Sequence, residues 1–133
     1  MVNSKIKISI DYDGTLSRKD VQIFVKELID KDFDVWVLTS RYSTESSLEK
    51  GWLWIEKQNQ ELFNVTDSIG IDRDKIVFTN NEKKILYLKG KGFLFHLDDD
   101  IDELLSIMES DDSCKPLNVD HFEWRYNCEE LIK

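Results

Sequence analysis

Apolar residues along this chain recur with two alternating periods. Short runs of isoleucine, valine, leucine and phenylalanine indicate buried strands, and between them apolar residues return every three or four positions, as on one face of a helix. The predicted strands are residues 6–10, 34–38, 75–78, 93–97 and 116–119. The predicted helices are residues 20–31, 43 to about 63, 82–88, 101–108 and 127–132. This alternation predicts an α/β fold with right-handed crossovers and a mostly parallel central sheet, a Rossmann-like three-layer sandwich.

Length and composition restrict the class of protein. A chain of 133 residues, 41% hydrophobic and 34% charged, predicts a single globular domain spanning 1–133. Its net charge of −9 argues against general binding to nucleic acid, which relies on basic surface. The sequence shows neither a signal segment nor an apolar stretch of membrane-spanning length, so we expect a cytoplasmic protein without a membrane partner. Cys114 and Cys128 are expected to be free thiols.

Two acidic residues follow the first predicted strand directly. Asp11 and Asp13 stand one residue apart, and Gly14 allows the chain to turn sharply after them. In open α/β sheets, ligands bind just beyond the carboxyl ends of the strands. An EF-hand loop also begins with Asp-x-Asp, but its glycine belongs at position six, whereas Gly14 is at position four. The pair therefore indicates metal-assisted chemistry at a strand end.

Polar residues also follow the next three predicted strands. They are Thr39, Ser40 and Arg41 after the second strand, Lys83 and Lys84 after the third, and Asp98, Asp99, Asp100 and Asp102 after the fourth. Because parallel strands end at one edge of a sheet, we expect these side chains to converge on one crevice. A carboxylate can attack phosphorus, a second can move protons, and hard oxygen ligands suit Mg²⁺. A hydroxyl and an ammonium can hold phosphoryl oxygens.

Four segments of the chain resemble, in order, the four motifs of the haloacid dehalogenase (HAD) superfamily, and specifically of its phosphatase branch. The segments are residues 11–16 (Asp-Tyr-Asp-Gly-Thr-Leu), 37–41 (Val-Leu-Thr-Ser-Arg), Lys84 within 84–88, and 95–99 (Phe-His-Leu-Asp-Asp). The resemblance covers most of the chain. It implies a HAD-like fold and a Mg²⁺-dependent phosphomonoester hydrolase that works through an aspartyl-phosphate.

The resemblance also implies a role for each matched residue. Asp11 is the expected nucleophile, Asp13 the general acid and base, and Lys84 the group that neutralises charge on the nucleophile and the phosphate. Thr39 is the remaining residue expected to be catalytic, through its bond to the phosphoryl group. The implied phosphate-binding residues are Gly14, Thr39, Ser40 and Lys84. The implied Mg²⁺ ligands are Asp11, Asp13 (through its backbone carbonyl), Asp98 and Asp99.

Several assignments stay open at the level of sequence. Lys83 competes with Lys84, although a helical step of about 100° lets only one of them face the site. Asp102 competes with Asp99 as the second acid after the fourth strand. Arg41 is interpreted as a structural partner of a nearby acid. His96 is interpreted as a packed strand residue rather than a ligand, on the same face of the strand as Asp98.

The spacing of the motifs bears on substrate access. HAD proteins often carry a cap domain after the first or third strand, whereas here only ~16 residues lie between Leu16 and Phe33 and ~33 between Arg41 and Lys75, which is short of a domain. The resemblance therefore implies a capless member, whose site is open unless a second subunit of a homo-oligomer covers it, and a phosphorylated substrate that the sequence does not identify. The alternatives are a nucleotide-specific phosphatase of the 5′-nucleotidase kind, a receiver-like phosphate-binding module without enzyme activity, and an inactive scaffold.

Overall fold

Five strands and six helices make up the fold in the computed structural model, which describes residues 5–133. The strands are β1 (Lys7–Ile10), β2 (Asp34–Thr39), β3 (Ile76–Phe78), β4 (Phe93–Asp98) and β5 (Lys115–Asn118). The helices are α1 (Lys19–Asp30), α2 (Thr44–Glu49), α3 (Trp54–Ile69), α4 (Ile85–Leu88), α5 (Ile101–Glu109) and α6 (Trp124–Leu131). Each predicted strand is confirmed to within one residue at either end.

All five strands are parallel and lie in the order β3-β2-β1-β4-β5. Helices flank the sheet on both faces, which confirms the α/β fold with a Rossmann-like three-layer arrangement. The first face packs against α1, α3 and α6 through a core of strand and helix side chains. The second face packs against α4 and α5 through a smaller core. Within residues 5–133, no helix has both the length and the apolar character needed to cross a bilayer.

One predicted helix, residues 43 to about 63, is wrong as a single element. The structure divides it into α2 and α3, with Gly51 between them at a φ of +75°. A left-handed backbone at this position ends the first helix, and glycine adopts it without the strain of a side chain. The break also changes which residues are buried. Leu48 and Leu62 are both apolar residues of the predicted helix, yet Leu48 is 51% exposed whereas Leu62 is fully buried.

The order of the strands creates a crevice beside β1. From β1 the chain passes outward to β2 and β3, and then returns across the sheet to β4 and β5. The connections that leave β1 and β4 therefore diverge to opposite faces, and the gap between them is the switch point at which α/β proteins bind ligands. Asp11 and Asp98 stand at the carboxyl ends of these two neighbouring strands. The backbone N–H of Asp11 donates to the carbonyl of Leu97 at 2.9 Å and fixes the register there.

Candidate active site

The crevice at the switch point has a volume of about 350 Å³. It is lined by Asp11, Asp13, Gly14, Ser40, Lys84, Asp98, Asp99 and Asp100. These residues come from four loops that are far apart along the chain. The structure therefore brings together every residue of the predicted site except Thr39, which lies at the base of the second loop.

Lys84 occupies the centre of the site. Its Nζ donates to Oδ1 of Asp11 at 2.7 Å and to Oδ2 of Asp98 at 2.5 Å. All three side chains are at least 95% buried, since their exposed fractions are 3%, 5% and 0%. The neighbouring Lys83 is exposed. The geometry therefore selects Lys84 over Lys83 as the lysine that faces the site, because it cross-links the ends of β1 and β4.

Asp99 lies against the turn that follows β1. A Cβ placed on Gly14 would come within 2.2 Å of Oδ2 of Asp99, and Gly14 also has a φ of +74°. Glycine is thus required here both by the backbone conformation and by the approach of the carboxylate. Oxygens of Asp11, Asp98 and Asp99 lie within 4.8 Å of one another. Among the described residues, this cluster includes Asp99 and leaves out Asp102, so the geometry favours Asp99 as the second acid.

A buried chain of hydrogen bonds between strands β4 and β1 holds the Asp98 carboxylate in place. Its Oδ2 lies 2.7 Å from Nε2 of His96, and Nδ1 of that ring lies 2.7 Å from Oγ of Ser9. Burial lowers the pKa of His96 in spite of the adjacent carboxylate, so the ring is neutral. A carboxylate can only accept, and therefore Nε2 carries the proton while Nδ1 accepts the hydroxyl of Ser9. His96 is packed in the sheet, as expected, and it also orients Asp98.

The other oxygen of Asp98 accepts two backbone bonds. The N–H groups of Asp99 and Asp100 donate to Oδ1 at 2.8 and 3.0 Å. Asp100 itself caps α5, because its side chain accepts from the backbone of Asp102 and Glu103. The acidic run after β4 therefore divides in two. Asp98 and Asp99 contribute oxygens to the acidic cluster in the crevice, whereas Asp100, which also borders the crevice, and Asp102 serve the start of α5.

Asp13 stands on the rim of the crevice and is held by Arg41. Its oxygens accept from Nε and from one terminal nitrogen of Arg41 at 2.8 and 2.7 Å, and the Asp13 side chain is 56% exposed. The guanidinium also lies 5.0 Å from the ring of Tyr12 and donates to the carbonyl of Gln58 at 2.7 Å. The interpretation of Arg41 as the partner of a nearby acid is thus confirmed. The two-pronged bond fixes where the Asp13 carboxylate stands.

The loop after β2 supplies the hydroxyl groups. Ser40 is exposed and lines the crevice, whereas Thr39 is fully buried and its Oγ1 accepts the backbone N–H of Arg41 at 3.2 Å. This loop is joined to the one after β3, because the N–H groups of Asn80 and Asn81 donate to the carbonyls of Arg41 and Ser40. Both asparagines have positive φ angles, which this residue type tolerates.

The cluster holds three buried or partly buried carboxyl groups beside one ammonium, and burial disfavours the charged form of each carboxyl group. Burial, opposed by Lys84 and reinforced by Asp98, raises the pKa of Asp11 to about 8. Burial alone would also raise the pKa of Asp98, but the hydrogen bond from His96 and the charge of Lys84 hold it below its usual range. Burial and the proximity of Asp98 raise the pKa of Asp99. The raised pKa values of Asp11 and Asp99 show that one ammonium does not fully compensate the three acids, and a further positive charge beside them would favour their ionised forms.

The oxygen donors of this cluster suit a hard divalent cation. Its donors are carboxylate oxygens from Asp11, Asp98 and Asp99, which suit Mg²⁺ better than softer metals. Both oxygens of Asp11 already accept one bond each, from Lys84 and from Oγ1 of Thr15 at 3.1 Å. Since a carboxylate has about four acceptor sites, each oxygen retains one for a cation or for phosphorus. The side chain of Asp13, paired with Arg41, lies outside this cluster.

Several residues of the site were missed from the sequence. Ser9 and Thr15 look like ordinary strand and turn residues until the structure shows them bonded to His96 and Asp11. Oε2 of Glu103 accepts the backbone N–H of Lys84 at 3.0 Å, across two helices. For Ser9 a sequence signal did exist, since it is a polar residue between Ile8 and Ile10 at the buried end of β1.

Comparison with known proteins gives no relative from which a function could be inferred, so the inference has to start from the geometry of the site. No protein-family model, no curated protein and no solved structure matches the chain.

Proposed function

We propose that this protein is a HAD-type phosphatase, a capless member of that superfamily, and that it hydrolyses phosphomonoesters through an aspartyl-phosphate on Asp11. The observation that carries the proposal is the contact of one buried lysine with the acids that end β1 and β4. The four motif-like segments meet at one crevice, in the arrangement that this chemistry needs. The free, buried state of Cys114 and Cys128 also fits the reducing cytoplasm that we expect for the protein.

Mg²⁺ is the proposed cofactor, held by Asp11, Asp98 and Asp99. When bound, it supplies positive charge that offsets the repulsion between the nucleophile and the phosphate. The backbone carbonyl of Asp13 is the further proposed ligand. His96 contributes indirectly, because its bond to Oδ2 fixes the orientation of the Asp98 carboxylate.

In the first step, an oxygen of Asp11 attacks phosphorus while the bond from phosphorus to the leaving oxygen breaks. Asp13 gives its proton to that oxygen, so the product leaves as a neutral alcohol. Lys84 stays charged, because Asp11 and Asp98 raise its pKa against the effect of burial. Its ammonium neutralises the nucleophile and the phosphoryl oxygens, with Thr39, Ser40 and the backbone at Gly14 as the other proposed phosphate contacts.

In the second step, Asp13 takes a proton from water, and the resulting hydroxide attacks the phosphorus of the aspartyl-phosphate. The acyl phosphate bond breaks, which releases inorganic phosphate and restores the Asp11 carboxylate. Because Asp13 is exposed on the rim, both the leaving group and the incoming water can reach it. Arg41 keeps the carboxylate near the crevice between the two steps.

The decisive test is the substitution Asp11→Asn, which keeps the shape of the side chain and removes the nucleophile. We expect hydrolysis of p-nitrophenyl phosphate in Mg²⁺ to fall by about 10⁴-fold or more. Wild-type activity should also be lost in EDTA and return with added Mg²⁺. Circular dichroism of the variant checks that the fold is intact.

Asp102→Asn is the matched control, since Asp102 is an acid of the same run that lies outside the crevice. It should retain wild-type turnover. Full activity in Asp11→Asn would refute the mechanism. Binding of phosphate without turnover in the wild-type protein would favour the receiver-like module instead, and the absence of both would favour the inactive scaffold.

A further inference from the structure

Three aromatic rings gather in the segment between β2 and α3. Tyr42 and Trp52 meet edge to face with centroids 5.1 Å apart, and Trp52 stacks on Trp54 at 6.1 Å with an angle of 28° between the planes. Trp54 is 59% exposed, and Trp52 is half-buried. We call Tyr42, Trp52 and Trp54 the aromatic shelf.

Folding alone does not account for the aromatic shelf. Within residues 5–133 its rings lie outside both hydrophobic cores, which are built from other side chains. Large exposed aromatic rings that stack on one another are typical of binding surfaces, because they offer rigid apolar area that loses little conformational freedom on binding. Trp54, the most exposed of the three rings, thus offers a face to which a planar ligand can add.

The aromatic shelf borders the candidate active site. Tyr42 directly follows Arg41, which binds Asp13 on the rim of the crevice. Arg41 also donates to the carbonyl of Gln58, which lies one helical turn after Trp54 in α3. Since α3 leads to the amino end of β3, its first turn lies at the carboxyl edge of the sheet, as the crevice does. One arginine therefore connects the catalytic rim to the helix that carries the outermost ring.

A polar cleft of about 530 Å³ adjoins the shelf on the side of the loop after β3. It is lined by Tyr42, Ser46, Glu49, Lys50, Asn80 and Glu82. Nζ of Lys50 lies 5.7 Å from the ring of Tyr42 and 5.2 Å from that of Trp52, so a cation also borders the aromatic surface. Hydroxyl, amide and carboxylate groups here can exchange hydrogen bonds with the hydroxyl and amino groups of a ligand.

We propose that the substrate is a nucleoside monophosphate, with its phosphate in the crevice, its base on the aromatic shelf and its sugar hydroxyls toward the polar cleft. This inference rests on the phosphatase function proposed above. Stacking on aromatic rings tolerates any base, because every base has a π face. Glu49 and Glu82 oppose the additional charges of di- and triphosphates, and also those of an acidic phosphopeptide.

The test compares adenosine monophosphate, phenyl phosphate and glycerol 2-phosphate as substrates of the wild type, Trp54→Ala, Trp54→Phe and Leu53→Ala. Trp54→Ala should raise KM for adenosine monophosphate about tenfold, as expected for the loss of one stacking contact, with kcat within about twofold. KM for glycerol 2-phosphate should stay unchanged. Trp54→Phe should restore most of the affinity. Leu53→Ala, at a neighbouring side chain that is 68% exposed, is the control and should match the wild type.

Several results would overturn the inference and leave the phosphatase function intact. They are an equal change in KM for all three substrates, no change for any, a larger change for phenyl phosphate than for the nucleotide, or no hydrolysis of the nucleotide. Conversion of a dimer to a monomer by Trp54→Ala, seen by sedimentation, would assign the shelf to a second copy of the chain instead. If no phosphomonoester is hydrolysed, calorimetry with adenosine monophosphate decides: binding that weakens about tenfold in Trp54→Ala supports the shelf, and absent or unchanged binding overturns it.

Discussion

The two halves of the crevice contain similar ion pairs in opposite surroundings. In the inner half, Lys84 contacts Asp11 and Asp98 at 2.7 and 2.5 Å, and all three are almost fully buried. On the rim, Arg41 contacts Asp13 at 2.7 Å, and the acid is 56% exposed. The N···O distances in the two halves are alike. The halves therefore differ in how far solvent reaches the acids, and not in the geometry of their ion pairs.

Burial makes the inner half rigid and the rim adjustable. A buried charge without its partner keeps its full desolvation cost, so the inner residues hold one another in place. On the rim, Arg41 is held by its other contacts while Asp13 is open to water, so the Asp13 carboxylate can exchange its bonds to Arg41 for other partners at a smaller cost. This division suits the proposed chemistry, because Asp11 attacks from a fixed position while Asp13 must accept and release a proton.

The largest expected effect comes from removing the cation of the inner half. Lys84→Met leaves Asp11 and Asp98 buried without the cation that both contact, and should lower the free energy of unfolding by about 3–5 kcal/mol, measured by urea denaturation. Added Mg²⁺ should recover part of this loss by binding the native acids.

Lys83→Met is the matched control, because this neighbouring lysine is exposed and should change stability by less than about 0.5 kcal/mol. Equal effects of the two substitutions would contradict the picture of an inner half held together by its own charges.

An intermediate effect is expected where the two halves meet, at Gly14. Gly14→Ala and Gly51→Ala each place a side chain at a φ near +75°, which should cost about 1–2 kcal/mol of stability in both variants. At Gly14 alone, the new Cβ would also lie 2.2 Å from Oδ2 of Asp99. Asp99 is a short side chain and can rotate away, so this clash should appear as lost function.

We therefore expect Mg²⁺-dependent phosphatase activity to fall tenfold or more in Gly14→Ala, in line with the roughly 10–100-fold effects of disturbing the surroundings of a metal ligand. Gly51→Ala should keep wild-type activity, because at that position a Cβ would meet no atom of the described residues within 4 Å. Equal loss of activity in both variants would show that Asp99 does not depend on Gly14.

The inner half could be predicted from the sequence because strand ends are easy to locate. Asp11 and Asp98 each follow an apolar run, and parallel strands deliver such residues to one edge. Sequence alone could not choose between Lys83 and Lys84, because that depends on the direction in which a short helix faces. The structure resolves it through the contact of Lys84 with both acids.

The parts that were missed depend on contacts across the chain. The bond of Ser9 to His96 joins residues 87 positions apart, and no local pattern reports it. The break between α2 and α3 at Gly51 was not predicted from the sequence, for a different reason. A single glycine in a helical pattern is usually tolerated, and here its left-handed backbone separates α2 from α3. The same break brings Trp52 and Trp54 together as a stack, which one continuous helix would have prevented.

The smallest expected effect on stability comes from the rim. Arg41→Ala should lower the free energy of unfolding by about 1 kcal/mol, because Asp13 is exposed while the Arg41 side chain, itself only 18% exposed, also loses its contacts with Gln58 and Tyr12. Arg73→Ala breaks a pair with Asp67 at 3.0 Å in which both side chains are more than half exposed, and as the comparison it should change stability less. The two variants should differ in turnover. Without Arg41 the Asp13 carboxylate is no longer held near the crevice, and kcat should fall about tenfold or more, since misplacing a catalytic group by 1 Å can cost about 10²-fold.

Arg41→Lys sharpens the same prediction. A lysine offers a point charge rather than two parallel donors, so it should restore only part of the lost kcat. KM should change less than kcat in both Arg41 variants if Arg41 acts through Asp13. An increase in kcat on removing Arg41 would reverse the interpretation. It would show that the ion pair holds Asp13 away from the leaving group, so that the rim slows the proposed reaction instead of supporting it.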